Sequence, residues 1–432
     1  MKNYSLKPTE ETIRELFCNN ITGRNDAVYR LVELLQSIDD NCTIAVNGEW
    51  GSGKTFFIKQ VKMALDYLNA FSSMDDDTRV YLQQYFKNNV QSLPTYSTVY
   101  YDAWMNDNQE DPILSLIYVA LQSINGINIS ERQYSIGQTL CSIATAVSGR
   151  NISDVFKNIK GENIFSNIQK ADNIHQLIKE LFDELINEHG DRLVFFVDEL
   201  DRCKPDYAVR FLERVKHYLN DDRVTFVFSV NLSQLQWTIK KYYGENFNAT
   251  KYLDKFFDLH VNLPSVNIDE YIRLKFKVQN GHYCNDTVCV ETIRYFNFSL
   301  REMERYIRLV KIAGYQYSHG TNSGSLEFVI LYIVPILIGL KMHDIVAYND
   351  FIHGNNSSPM FEILKKSERS MRYWKSESLS TKQFLQDIYD FLFGAKADED
   401  IQIGGLALDM ETKKDVEQIT GLLSSYCNYA FE

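Results

Sequence analysis

The chain has little proline or glycine, 7 and 20 in 432 residues. That scarcity excludes collagen-like repeats, low-complexity tracts and long structureless loops. The seven cysteines, at positions 18, 42, 141, 203, 284, 289 and 427, are odd in number, scattered, and never in a CxxC pair. No disulfide framework or zinc site is expected from them, and the usage fits a reducing cytosol. Positive charge is in deficit: 45 Lys and Arg against 57 Asp and Glu leave a net charge of −12. Sequence-independent affinity for nucleic acid comes from cations neutralising phosphates, so the acidic balance does not support a general nucleic-acid binder. The N-terminal stretch has no hydrophobic signal core. The longest apolar run, Phe328 to Leu340, contains Pro335 and Gly339 and falls short of the roughly 20 residues a spanning helix needs, so it reads as a buried helix and no transmembrane segment is expected.

Against those absences stands one short string. Residues 48–55 read GEWGSGKT. Cys42 to Asn47 before it has the length and apolar content of a buried strand, and Phe56 to Leu65 after it has those of a helix. Strand, glycine-rich turn, Lys-Thr and helix make a P-loop in its required context. Gly48 opens the turn, while Gly51 and Gly53 let the backbone close around a phosphate with its N–H groups inward. The loop residues Gly48, Glu49, Trp50, Gly51, Ser52, Gly53, Lys54, Thr55 and Phe56 are therefore the nucleotide-binding candidates. Lys54 is placed to reach the β/γ-phosphate oxygens and Thr55 to ligate Mg²⁺.

Residues 193–197, LVFFV, form a second buried strand that exits into Asp198-Glu199. An apolar strand ending in two carboxylates is a Walker B signal: Asp198 for Mg²⁺, Glu199 for the attacking water. Further strands are expected at 98–101, ending in Asp102-Ala103-Trp104, at 224–230, ending before Asn231, and at 260–263, stopped by Pro264. Helical crossovers between them give an α/β fold, a mostly parallel five-stranded sheet with helices on both faces. Residues 128–170 are weakly patterned and read as an insertion, and 173–187 as an amphipathic helix. From 268 onward the patterning is helical throughout. The expected organisation is a P-loop domain over 1–264, with a helical insertion at about 106–190, and a C-terminal helical lid and interaction domain over 265–432.

Several strings together resemble the KAP family of P-loop NTPases. They are GEWGSGKT, DAW at 102–104 followed by EDPILSLI, FFVDELDRCKP at 195–205, FVFSVN at 226–231, YYGENFNATKYLDKFFDLHVNLP at 242–264, and SLREMERYIRLV at 299–310. The resemblance covers roughly residues 10–310. It implies the P-loop class in which the Walker A and Walker B strands are not sheet neighbours. It implies that Asp198 is the Mg²⁺ aspartate, that Asp201 and Arg202 match the family's second Asp and Arg, that Asn231 falls at the sensor-1 position, and that Arg301 is a sensor-2 arginine of the lid. Many relatives carry transmembrane helices inside the NTPase domain. Here the corresponding insertion holds only the short, polar-interrupted segment 136–147.

The expected activity is Mg²⁺-dependent ATP hydrolysis, with Lys54, Glu199, Arg202, Asn231 and Arg301 as catalytic candidates. The resemblance implies a cytoplasmic, nucleotide-gated switch in bacterial anti-phage defence, self-associating or meeting a protein partner through the C-terminal helices. Two rivals remain: a nucleotide-bound scaffold without turnover, and a phosphotransferase, for which no acceptor pocket is evident. Arg202 is open between a γ-phosphate role and a bridge to Asp201 or a neighbouring carbonyl. Arg210 and Arg214 read as a solvated helix face, and Trp104 as packing under the P-loop helix.

Overall fold

The computed structural model describes residues 7–69, 76–83, 94–109, 111–124, 178–179, 182–183, 186, 190–277, 285–318, 324–375, 379–394 and 399–428. The expected insertion at 128–170, its apolar segment 136–147 and most of the helix expected at 173–187 lie outside them. The chain divides into two compact units, Pro8–Ser265 and a second built from Val266–Glu432.

In the first unit, helices α1 (Glu10–Cys18) and α2 (Asn25–Gln36) precede strand β1 (Cys42–Asn47). Then come α3 (Lys54–Leu68), α4 (Asp76–Gln83), β2 (Tyr96–Asp102), α5 (Pro112–Ile124), β3 (Arg192–Asp198), α6 (Pro205–Tyr218), β4 (Val224–Val230), α7 (Leu232–Tyr243), α8 (Ala249–Leu253) and β5 (Leu259–Asn262). All five strands are parallel, in the order β2-β3-β4-β1-β5. The P-loop strand β1 and the Walker B strand β3 are thus separated by β4.

Strand alternation splits the core into two layers. Leu193, Phe195 and Val197 of β3 point to one face, with Phe226 and Phe228 of β4 and Tyr207 and Phe211 of α6. Val194 and Phe196 point to the other, with Val227, Phe57 of α3 and Leu31 of α2. A period of two buries both faces at once, which is why these strands read as continuous apolar runs. Strand β5 is an edge, largely exposed.

The second unit begins with α9 (Ile268–Lys277), α10 (Asp286–Phe296) and α11 (Leu300–Ser318). Ser299 and Glu302 cap α11 reciprocally: the Ser299 N–H donates to Glu302 Oε2 at 2.8 Å and the Glu302 N–H to Ser299 Oγ at 3.4 Å. The apolar run forms α12 (Gly324–Phe328), a π-turn (Val329–Ile333) and α13 (Val334–His343). This 20-residue helical stretch is long and apolar enough to cross a membrane, a correction to the shorter run counted from sequence, and 78% of its apolar window is buried inside the protein. It is an interior helix: α13 packs on α10 and α11. At Gly339 a Cβ would stand 2.4 Å from Thr292 Cγ2 and 2.9 Å from Phe296 Cε2, so only glycine permits this crossing.

The stretch stops at His343, and Asp344 caps a separate α14 (Ile345–Ile352). After α15 (Ser358–Leu364) and α16 (Thr381–Phe393), the unit also contains an antiparallel hairpin, β6 (Ile401–Ile403) and β7 (Leu406–Leu408), before α17 (Met410–Asn428). The expectation of helices alone missed it, because three-residue strands carry almost no periodicity.

Candidate nucleotide site

The site is built where the neighbouring parallel strands β2, β3, β4 and β1 end. β1 leads into the glycine turn, where Gly51 (φ 77°) and Gly53 (φ 92°) occupy the left-handed region that residues with a Cβ avoid. Gly48 sits in a tight space instead: a Cβ there would sit 3.0 Å from Ser52 Oγ and 3.2 Å from Lys54 Cγ. Lys54 begins α3, is buried, and donates from Nζ to the carbonyls of Gly48 (2.6 Å) and Glu49 (3.0 Å). Burial pulls its pKa down, against the opposing pull of Asp201, Asp198 and Glu199.

β3 delivers Asp198, which is 1% exposed. Thr55 Oγ1 donates to Asp198 Oδ2 at 2.7 Å, and the Tyr100 hydroxyl of β2 donates to the same oxygen at 3.0 Å. Burial first, and then Asp198, hold the Tyr100 phenol far above its ordinary pKa, so it remains a donor. Thr55 and Asp198 together form an oxygen-donor pair of the kind that suits a hard cation such as Mg²⁺.

Glu199 follows in a left-handed conformation, φ 61° and ψ 21°, which is strained for a residue with a Cβ. Burial raises its carboxyl to about 7; Asp198 adds to the rise and Arg202 opposes it. Glu199 is ion-paired with Arg202 Nε. The Arg202 guanidinium in turn lies 5.8 Å from the Trp50 ring centroid and 5.4 Å from that of Trp104. Of the protein partners weighed for Arg202, the bridge to Asp201 gives way to the pair with Glu199, and Asp201 is held by Trp50 instead. Trp104 does not pack under the P-loop helix: it is 51% exposed and stacks on Arg202, because its turn leaves β2 at the same level as the turn after β3.

Two connections had no signal in the sequence. Trp50 Nε1 donates to the buried Asp201 Oδ2 at 2.6 Å, joining the glycine turn to the Walker B turn. Arg24, in the turn before α2, donates from Nη1 to the Ser52 carbonyl at 2.8 Å. Asn231 follows β4; its side chain caps α7 by accepting from the Gln234 N–H at 3.2 Å. Arg214 is no solvated residue, since it pairs with the buried Asp111, whereas Arg210 makes a helix-surface pair with Asp206 at 2.9 Å. Phe56 is half-buried in the first turn of α3. Arg301 is an exposed residue of α11 in the second unit.

The profile of the KAP family P-loop domain matches residues 24–317. The chain belongs to the KAP family of P-loop NTPases. No curated protein matches it. Among solved structures it is similar to the ORC2 protein of Aeropyrum pernix in its ADPNP–ADP complexes, at 11% identity and a TM-score of 0.38 over 94% of this chain and 95% of that one. It is also similar to Drosophila ORC bound to DNA, at 12% identity and a TM-score of 0.37 over 99% and 81%.

Proposed function

We propose that this KAP protein binds ATP with Mg²⁺ and hydrolyses it. The observation that carries the reading is the 2.7 Å contact of Thr55 with Asp198, with Glu199 next in sequence and the glycine turn beside them. Lys54 and the inward N–H groups of the turn offset phosphate charge. Glu199 takes a proton from water as the water oxygen bonds to the γ-phosphorus. The bond from that phosphorus to the β–γ bridging oxygen breaks, leaving ADP and phosphate. A carboxyl held at about 7 is a suitable base near neutral pH. Mg²⁺, when bound through Thr55 and Asp198, would supply charge neutralisation on the phosphates.

The resemblance to bacterial KAP proteins linked to phage exclusion extends the proposal to a cytoplasmic, nucleotide-gated switch in anti-phage defence. Its client or second copy would be met through the C-terminal unit, with Arg301 sensing the γ-phosphate. A second reading, a nucleotide-bound scaffold without turnover, is favoured by one observation: Glu199 is already engaged by Arg202. Phosphate release decides between them. Turnover by the wild type, cut about 10²-fold or more in Glu199→Gln with ATP still bound, is expected of a general base. ATP binding with no release in the wild type would establish the scaffold.

A further inference from the structure

Arg24 is 4% exposed, yet among the described residues no carboxylate pairs with it. Its one hydrogen-bond partner there is the Ser52 carbonyl of the glycine turn, and its Nε is buried without a partner. Burial alone lowers its pKa, to about 10, with no neighbouring acid raising it. A buried cation lacking a counter-charge is costly, and proteins retain one where something else supplies the negative charge. Arg24 also has a steric consequence. A trans peptide holds C=O and N–H on opposite sides, so drawing the Ser52 carbonyl toward Arg24 turns the Gly53 N–H away from it.

We propose that Arg24 is a positioning residue of the phosphate site: a buried cation whose missing counter-charge is the phosphate chain of a nucleoside di- or triphosphate, and whose bond to Ser52 sets the orientation of the loop's N–H groups. The inference rests on the P-loop reading of residues 48–55. It adds a second cation to the site, supplied from the turn between α1 and α2 and separate from Lys54. The absence of an acidic partner among the described residues is what sets Arg24 apart from a structural arginine such as Arg214, which has Asp111.

The test is thermal melting of wild type, Arg24→Met and Arg24→Lys in EDTA, each with and without ADP. A ligand that binds the folded state raises the melting temperature by an amount that grows with the logarithm of its concentration over Kd. Without ADP, Arg24→Met is expected to melt no lower than wild type, because an uncompensated buried charge has been replaced by an apolar chain. Its ADP affinity, from the ADP-induced rise, should be about tenfold weaker, the scale of one charge-assisted hydrogen bond. Arg24→Lys keeps the charge and loses the planar fork, so its loss of affinity should be smaller than that of Arg24→Met. An Arg24→Met protein that melts lower and keeps the wild-type ADP-induced rise would overturn the proposal and make Arg24 structural. Equal loss in Arg24→Lys and Arg24→Met would overturn the charge role. If wild type shows no ADP-induced rise while melting cooperatively, the P-loop reading itself fails.

Discussion

The Trp50 indole N–H donates to Asp201 Oδ2 across 2.6 Å, tying the turn after β1 to the turn after β3 over the intervening strand β4. Through it the glycine turn and the segment that carries Glu199 share a side-chain bond. Asp201 is buried, and burial raises its pKa, with the Trp50 bond as the largest opposing influence.

A double-mutant cycle with Trp50→Phe and Asp201→Asn measures that bond. The phenyl ring keeps most of the packing and loses the donor. A coupling of about 1–3 kcal/mol in unfolding free energy is expected for a hydrogen bond to a buried charge. Strictly additive effects would show that the pair contributes nothing in solution.

Glu199→Gln should be more stable than wild type above neutrality in metal-free buffer. An acid whose pKa is raised by folding favours the fold while protonated; that contribution is intact below the unfolded value of about 4.3 and is lost as pH climbs through the folded value. Here the folded carboxyl sits at about 7. The mutant's advantage in melting temperature should therefore grow between about pH 4.3 and 7 and level off above. A pH-independent difference would count against the buried, charge-repelled environment of Glu199.

Lys54→Ala should fold and lose ATP affinity at least about tenfold, since Nζ supplies charge rather than packing. Calorimetric titration checks it. Unchanged affinity would remove the nucleotide assignment from this loop.

Arg301→Ala, measured in the Glu199→Gln background to prevent turnover, should lower the preference for ATP over ADP and leave ADP affinity nearly unchanged. A guanidinium that meets a γ-phosphate contributes only to the ligand that has one. Equal ATP-to-ADP affinity ratios with and without Arg301 would make it a surface residue, worth at most about 1 kcal/mol.

Gly339→Ala should destabilise the C-terminal unit by about 1–3 kcal/mol, the usual cost of overpacking. The added methyl has no room between Thr292 and Phe296. A neutral effect on denaturant unfolding would mean that α13 does not pack on α10 in solution.

Sequence alone determined the elements whose signals are local. Apolar runs of strand length at 193–197 and 224–230, and a glycine turn between a strand and a helix, are dictated by backbone sterics and by side-chain periodicity over a few residues. The family pattern carried the separation of β1 from β3. What needed the tertiary structure is everything that depends on distant segments meeting. Tyr100 joins Thr55 on Asp198 because β2 and β3 pair in register, with Asp102 opposite Asp198. Arg202 takes Glu199 and two tryptophans because three turns leave the sheet at one level. Arg24 lies in an ordinary polar turn of the sequence, and only the packing of α1 and α2 against α3 brings it to Ser52. No local pattern encodes such contacts, since they arise from where the chain closes on itself rather than from which residues are neighbours along it.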